Sequence, residues 1–263
     1  MRAPGRKLAL LGLGAALALL ALANLAQAEL AQKGNLQVAF NGQISPSKLP
    51  RSTPAPVSVQ MGGKIKTTDK STPPKLERIV LDINAVGKID TKGLPACPLA
   101  RLGSISSNGA RKACGDALVG HGNVTSRVTL PGQGAFASNG PLLAFNGKFK
   151  GHQAVFAQVA SGAPLPLTYV IVFEVRKTKG TFGTELIGTL PPIASEYGYI
   201  SAFDLSLGRT YTSHGKKMSF ASASCPAPKG FTGASFPFAK ASYEFAGGAT
   251  LSSTLVRQCK VRG

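Results

Sequence analysis

The 263 residues carry 30 Lys and Arg against 11 Asp and Glu, with 3 His, 4 Cys and no Trp, for a net charge of +19. So few acids and histidines leave little material for a carboxylate pair or a Ser-His-Asp triad, and the lack of Trp weakens any sugar-stacking platform. At this length one domain and two are equally ordinary.

Residues 1–28 read as a secretory signal peptide. Basic Arg2, Arg6 and Lys7 precede an apolar run from Leu8 to Ala23, and Ala26-Gln27-Ala28 supplies a small-residue cleavage site. The run is slightly short for a retained span, which needs about 20 apolar residues, so no transmembrane span is expected after cleavage. The mature chain then holds 27 cations and a net charge of +16, and is expected to be secreted or loosely associated with the cell envelope. Such a charge attracts polyanions and says little about fold.

From Asn35 onward, short apolar alternations are separated by Gly, Pro, Ser and Asn, the pattern of strands joined by turns. Strands are expected over 36–41, 57–66, 79–86, 123–130, 142–149, 153–160, 167–175, 199–207, 218–224, 241–245 and 249–257. In the seventh, Leu167, Tyr169, Ile171, Phe173 and Val175 alternate with Val170 and Val172, which predicts a central strand covered on both faces. One stretch departs from the period of two. Ala110, Ala113, Cys114, Ala117 and Leu118 fall on one face of a helix near 108–119, with Ser107 or Asn108 as its cap and Gly120 as its end. The fold class is therefore all-β, an antiparallel β-sandwich with one short helix.

Ala39-Phe40-Asn41-Gly42 recurs as Ala144-Phe145-Asn146-Gly147, and further landmarks follow in the same order. Ala55-Pro56 matches Ala163-Pro164, Leu81-Asp82-Ile83 matches Phe203-Asp204-Leu205, and Cys97-Pro98 matches Cys225-Pro226. These give two readings of the mature chain: tandem related β-modules over 29–134 and 135–263, or one large sandwich over 29–263. In an exported chain Cys97, Cys114, Cys225 and Cys259 are expected as disulfides. Short separations favour Cys97 with Cys114 and Cys225 with Cys259, and the absence of C-x-x-C spacing argues against a metal site.

The ordered set Gly93-Leu94-Pro95-Ala96-Cys97, Ala113-Cys114 with Ala117-Leu118-Val119-Gly120, Leu143-Ala144-Phe145-Asn146-Gly147 and Cys225-Pro226-Ala227-Pro228 resembles a group of uncharacterised exported β-rich proteins of high-GC Gram-positive bacteria. The resemblance implies export and shared architecture. It implies no activity, ligand or catalytic residue.

His121, His152 and His214 adjoin glycines and are expected in turns, without metal-site spacing or a G-x-S-x-G elbow. Among the acids Asp82, Asp90, Asp116, Glu174, Glu185, Glu196, Asp204 and Glu244, the strand pair Asp82 and Asp204 is the one a secreted hydrolase would use. Asn123-Val124-Thr125 is read as an accidental sequon. Basic turns offer more. Arg209, Lys216 and Lys217 flank an expected hairpin turn, Lys148 and Lys150 share one strand face, and Arg176, Lys177 and Lys179 extend a third turn. They suit an anionic envelope polymer or another polyanion, although lysines at hairpin ends also block edge-to-edge pairing. No cofactor and no specific nucleic-acid motif is read from the chain. The expectation is an exported, non-enzymatic protein with a binding or structural role, and the alternative is a secreted hydrolase using a carboxylate pair.

Overall fold

A computed structural model of the chain describes residues 28–162, 166–192 and 198–262. Residues 1–27 of the expected signal peptide, Ala163-Pro164 and Glu196 lie outside the described residues. Strands dominate, as the alternations require. The first half supplies β1 (Glu29–Lys33), β2 (Leu36–Ser45), the short β3 (Lys48–Leu49) and β4 (Ala55–Pro56), β5 (Ser58–Thr67), β6 (Leu76–Asn84), β7 (Gly87–Ile89) and β8 (Leu118–Val128). The helix α1 (Ser107–Cys114) lies between the last two. The second half supplies β9 (Phe136–Phe149), β10 (His152–Ser161), β11 (Leu167–Lys177), β12 (Phe182–Thr189), β13 (Gly198–Leu207), the short β14 (Thr210–Ser213), β15 (Lys216–Ser219) and β16 (Ala221–Ala223), then β17 (Gly233–Phe245) and β18 (Thr250–Val261).

Among the described residues, thirteen strands form one sheet in the order β1-β2-β5-β13-β8-β9-β10-β11-β12-β6-β17-β18-β3, antiparallel except for the final β18–β3 pair. The sheet therefore runs through both halves of the chain. Strand β13 lies between β5 and β8, and β6 lies between β12 and β17. The sheet curls until β1 and β2 run against β18. At this seam Arg257 Nε donates to the Gly42 carbonyl at 2.6 Å, and the guanidinium is 3.6 Å from the Glu29 carboxylate. Gly42 is needed there, since a Cβ would sit 2.9 Å from Leu255 Cδ1.

Curling encloses one core between facing walls, where Phe40, Leu186, Tyr243, Phe245 and Leu255 are buried. A second cluster lies on the outer face of β9 and β10, where Ala110, Cys114 and Ala117 cover Leu143, Phe145, Ala154 and Phe156. Hence β10, buried without a break from Ala154 to Ala160, and β9, buried from Leu142 to Gly147, are covered on both faces. The seventh expected strand, now β11, keeps Val170 and Val172 half-buried because the helix reaches only part of it.

The helix is capped by Ser106, whose Oγ accepts from Gly109 N at 3.2 Å. It ends at Cys114 rather than near Gly120. A single 3₁₀ turn over Gly115–Ala117 follows, and Leu118 already begins β8. Both disulfides form as the spacing indicates, Cys97 with Cys114 and Cys225 with Cys259, with Cα atoms 5.5 and 5.7 Å apart, and no free cysteine remains. Finally, β4, β16 and β7 make a small three-stranded cap in the order β4-β16-β7, and β14 pairs with β15 as a separate hairpin.

Candidate functional site

Strand direction decides which turns lie together. Antiparallel pairing puts the β9–β10 and β11–β12 turns at the same end of the sheet, with the C-terminus of β13 from which the β14–β15 hairpin departs. The first two turns are two strand spacings apart, about 10 Å.

Both basic hairpins turn tightly through paired positive φ angles. Lys150 and Gly151 have φ 50° and 82°, and His214 and Gly215 have 48° and 72°. Such pairs match the twist of the flanking strands, so the turns project outward. Lys148, Lys150, Lys216 and Lys217 are all exposed. Lys150 Nζ lies 5.3 Å from the centroid of the Phe149 ring, a cation–π contact that keeps the ammonium at the rim. In the third turn Arg176 is 3.2 Å from Glu174, and Lys177 Nζ donates to Thr184 Oγ1 at 3.1 Å, while Lys179 is exposed. The β14–β15 hairpin is anchored by the Tyr211 hydroxyl, which donates towards the Lys92 carbonyl at 2.9 Å. Burial, with the Asp90 charge, raises the Tyr211 pKa and keeps that hydroxyl a donor.

Arg209 is placed differently from the other basic residues of the turns. Its Nη1 donates to the carbonyls of Gly115 and Leu118 at 2.8 and 2.9 Å, binding the β13 end to the chain leaving α1. Its charge satisfies backbone rather than facing outward. Helix-end carbonyls need such donors, but nothing near Arg209 in sequence signals that these carbonyls lie beside it.

The opposite end of the sheet carries Lys33, Lys66, Lys70 and Lys75 together with paired acids. There Arg78 pairs with Glu244 at 2.9 Å, and Asp69 accepts from Ser71 and Asn35, hydrogen bonds that hold its carboxyl below the usual range.

Asp82 and Asp204 do not converge, although Asp82 has Glu185 as its cross-strand partner. Asp204 stands between Gly62 of β5 and Asn123 of β8, whereas Asp82 stands between Glu185 of β12 and Lys240 of β17. Asp204 lines an outer groove of about 480 Å³ with Asn41, Gln43, Gln60, Lys64 and Asn123, and among the described residues no second carboxylate lines it. His121 lies within β8, opposite Ser206, instead of in the expected loop. His152 opens β10 and His214 sits in its turn. No group of three His, Cys, Asp or Glu among the described residues is arranged to hold a metal. No helix among them is long and apolar enough to cross a membrane. Asn123 of the sequon is an exposed strand residue, its amide 3.5 Å from Asp204. Comparison with known proteins finds no matching family model, curated protein or solved structure.

Proposed function

We propose that this chain is an exported, non-enzymatic β-sandwich protein of the cell envelope or extracellular space, which binds an anionic envelope polymer through the lysine-bearing turns at one end of its sheet. The observation that carries this reading is the gathering of Lys148, Lys150, Lys177, Lys179, Lys216 and Lys217 at one end, none of them in an ion pair among the described residues. Two disulfides support an oxidising compartment, where such bonds persist. Against the hydrolase alternative stands the placement of Asp82 and Asp204 beside different strands.

The test is retention on immobilised poly-glutamate across a salt gradient, because contact with a polyanion releases counterions and makes affinity fall steeply with salt. Replacing Lys148, Lys150, Lys216 and Lys217 by Gln is compared with replacing Lys33, Lys66, Lys70 and Lys75, which lie towards the opposite end and remove the same charge. The first set is expected to lower the salt slope by about one unit for each lysine in contact. Equal effects from the two sets would show that only global charge matters.

A further inference from the structure

Beneath the cap formed by β4, β16 and β7, the two walls of the curled sheet do not meet. The cap turns small residues inward, Gly87, Ala221 and Ala223, above Met61, Leu81, Ile83 and Leu207 of the walls, and a cavity of about 60 Å³ is left between them. Its lining is apolar apart from Ser222 and Lys88. The four wall residues are only half-buried, whereas their neighbours Phe40 and Leu255 are 1 % and 0 % exposed. Apolar side chains held open inside an otherwise sealed core forfeit dispersion contacts and hydrophobic burial alike, which an apolar ligand restores.

The size and surroundings of the space select the ligand. About 60 Å³ is well under the roughly 150 Å³ that takes benzene, so a ring is excluded, while the end of a flexible alkyl chain fits with the rest lying along the half-buried residues. Met61, unbranched and adaptable, can shift to lengthen the slot. Lys88 is exposed on β7 at the rim. An apolar slot with a cationic rim matches one chemistry. We propose that this cavity takes the tail of a single-chain anionic amphiphile, of the fatty-carboxylate class, with Lys88 facing the head group. This goes beyond the polymer reading, since it uses the interior rather than the hairpin turns.

The test uses decanoate below its micellar concentration and decanol as the uncharged counterpart, with the protein labelled at its methionine methyl groups with ¹³C. Met61 lines both the cavity and the outer groove beside Asp204, and Met218 lies on the β14–β15 hairpin outside the two, so a Met61 response that Ala221→Phe removes reports on the cavity. Decanoate is expected to shift the Met61 resonance saturably at one equivalent and leave Met218 in place. Lys88→Gln should weaken that binding about two- to fivefold, the range of a single exposed or part-exposed charge contact. Ala221→Phe, if it melts as sharply as the wild type, should abolish it. An unmoved Met61, equal shifts at both methionines, or decanol binding as tightly as decanoate overturns the proposal. The variant with Lys148, Lys150, Lys216 and Lys217 replaced keeps the Met61 response if the two sites are independent, so loss of polymer retention alone leaves this inference standing.

Discussion

Arg209 shows how one residue changes meaning between sequence and structure. Counted along the chain, it belongs with Lys216 and Lys217 at a basic turn. In space its guanidinium bridges the Gly115 and Leu118 carbonyls, over ninety residues earlier. Charged hydrogen bonds of this kind are each worth about 1.5–3 kcal/mol, and the carbonyls left behind would be part-buried. Arg209→Gln is therefore expected to lower unfolding stability by about 2 kcal/mol, read from the urea midpoint, and to change poly-glutamate retention no more than any single-charge substitution elsewhere. Normal stability with lost retention would return Arg209 to the binding surface. Asn146 and Gln158 teach the same lesson in the interior. Asn146 donates to the Pro95 carbonyl at 2.9 Å, and Gln158, fully buried, donates to the carbonyls of Leu102 and Ile105 at 2.9 and 3.0 Å. Both hold the loop ahead of α1 onto the sheet, and in the sequence both are ordinary polar residues of a strand.

At the scale of elements, the Cys97–Cys114 bond completes what those amides begin, tying the loop and helix over β9 and β10. A double Cys97→Ala, Cys114→Ala variant is expected to lose about 3 kcal/mol by loop entropy. Hydrogen exchange should quicken over residues 94–114 and little elsewhere, and rapid exchange throughout the sheet would show that the helical cover is integral to the core. Strands with a sustained alternation, such as β2, β11 and β18, were legible in the sequence because period-two burial is written in adjacent residues. By contrast β1 is short and half-exposed, and Gly183 and Gly188 break the alternation of β12, so neither stood out. Asn41-Gly42 and Asn146-Gly147 lie within strands, where the glycine admits a neighbour: a Cβ on Gly147 would stand 2.2 Å from the Phe156 ring. The tight turns instead use Lys150-Gly151 and His214-Gly215, with long side chains at positive φ. That is also why the exposed half of the candidate site was legible as basic turns, whereas the capped cavity, assembled from strands far apart in sequence, was not.

For the whole molecule, the decisive feature is an exchange between its halves. Reading along the sheet, β2-β5-β13-β8-β9 and β11-β12-β6-β17-β18 are two five-strand blocks joined through β10; the third strand of the first block, β13, comes from the second half of the chain, as does its last, β9, and the third strand of the second block, β6, comes from the first half. The matching Leu81-Asp82-Ile83 and Phe203-Asp204-Leu205 segments are those third strands, so this resemblance falls at equivalent places. The Ala-Phe-Asn-Gly segments both fall in the first block, in its first strand β2 and its last strand β9. Local pattern does not choose such partners, because strand pairing across 140 residues is fixed by the core as a whole. The consequence is testable. In fragment 29–134, β6 has neither β12 nor β17 beside it, and β5 and β8 lose the strand between them. Unpaired backbone and a half-formed core leave such a fragment without the burial that offsets chain entropy. Fragments 29–134 and 135–263 expressed separately are thus expected to give poorly dispersed amide spectra, and to recover native dispersion when co-expressed. The intact chain should unfold in urea in one transition, with circular dichroism and tyrosine fluorescence coinciding. A cooperative, well-dispersed 29–134 fragment would mean that its strands pair among themselves, and the exchanged sheet order would then be wrong.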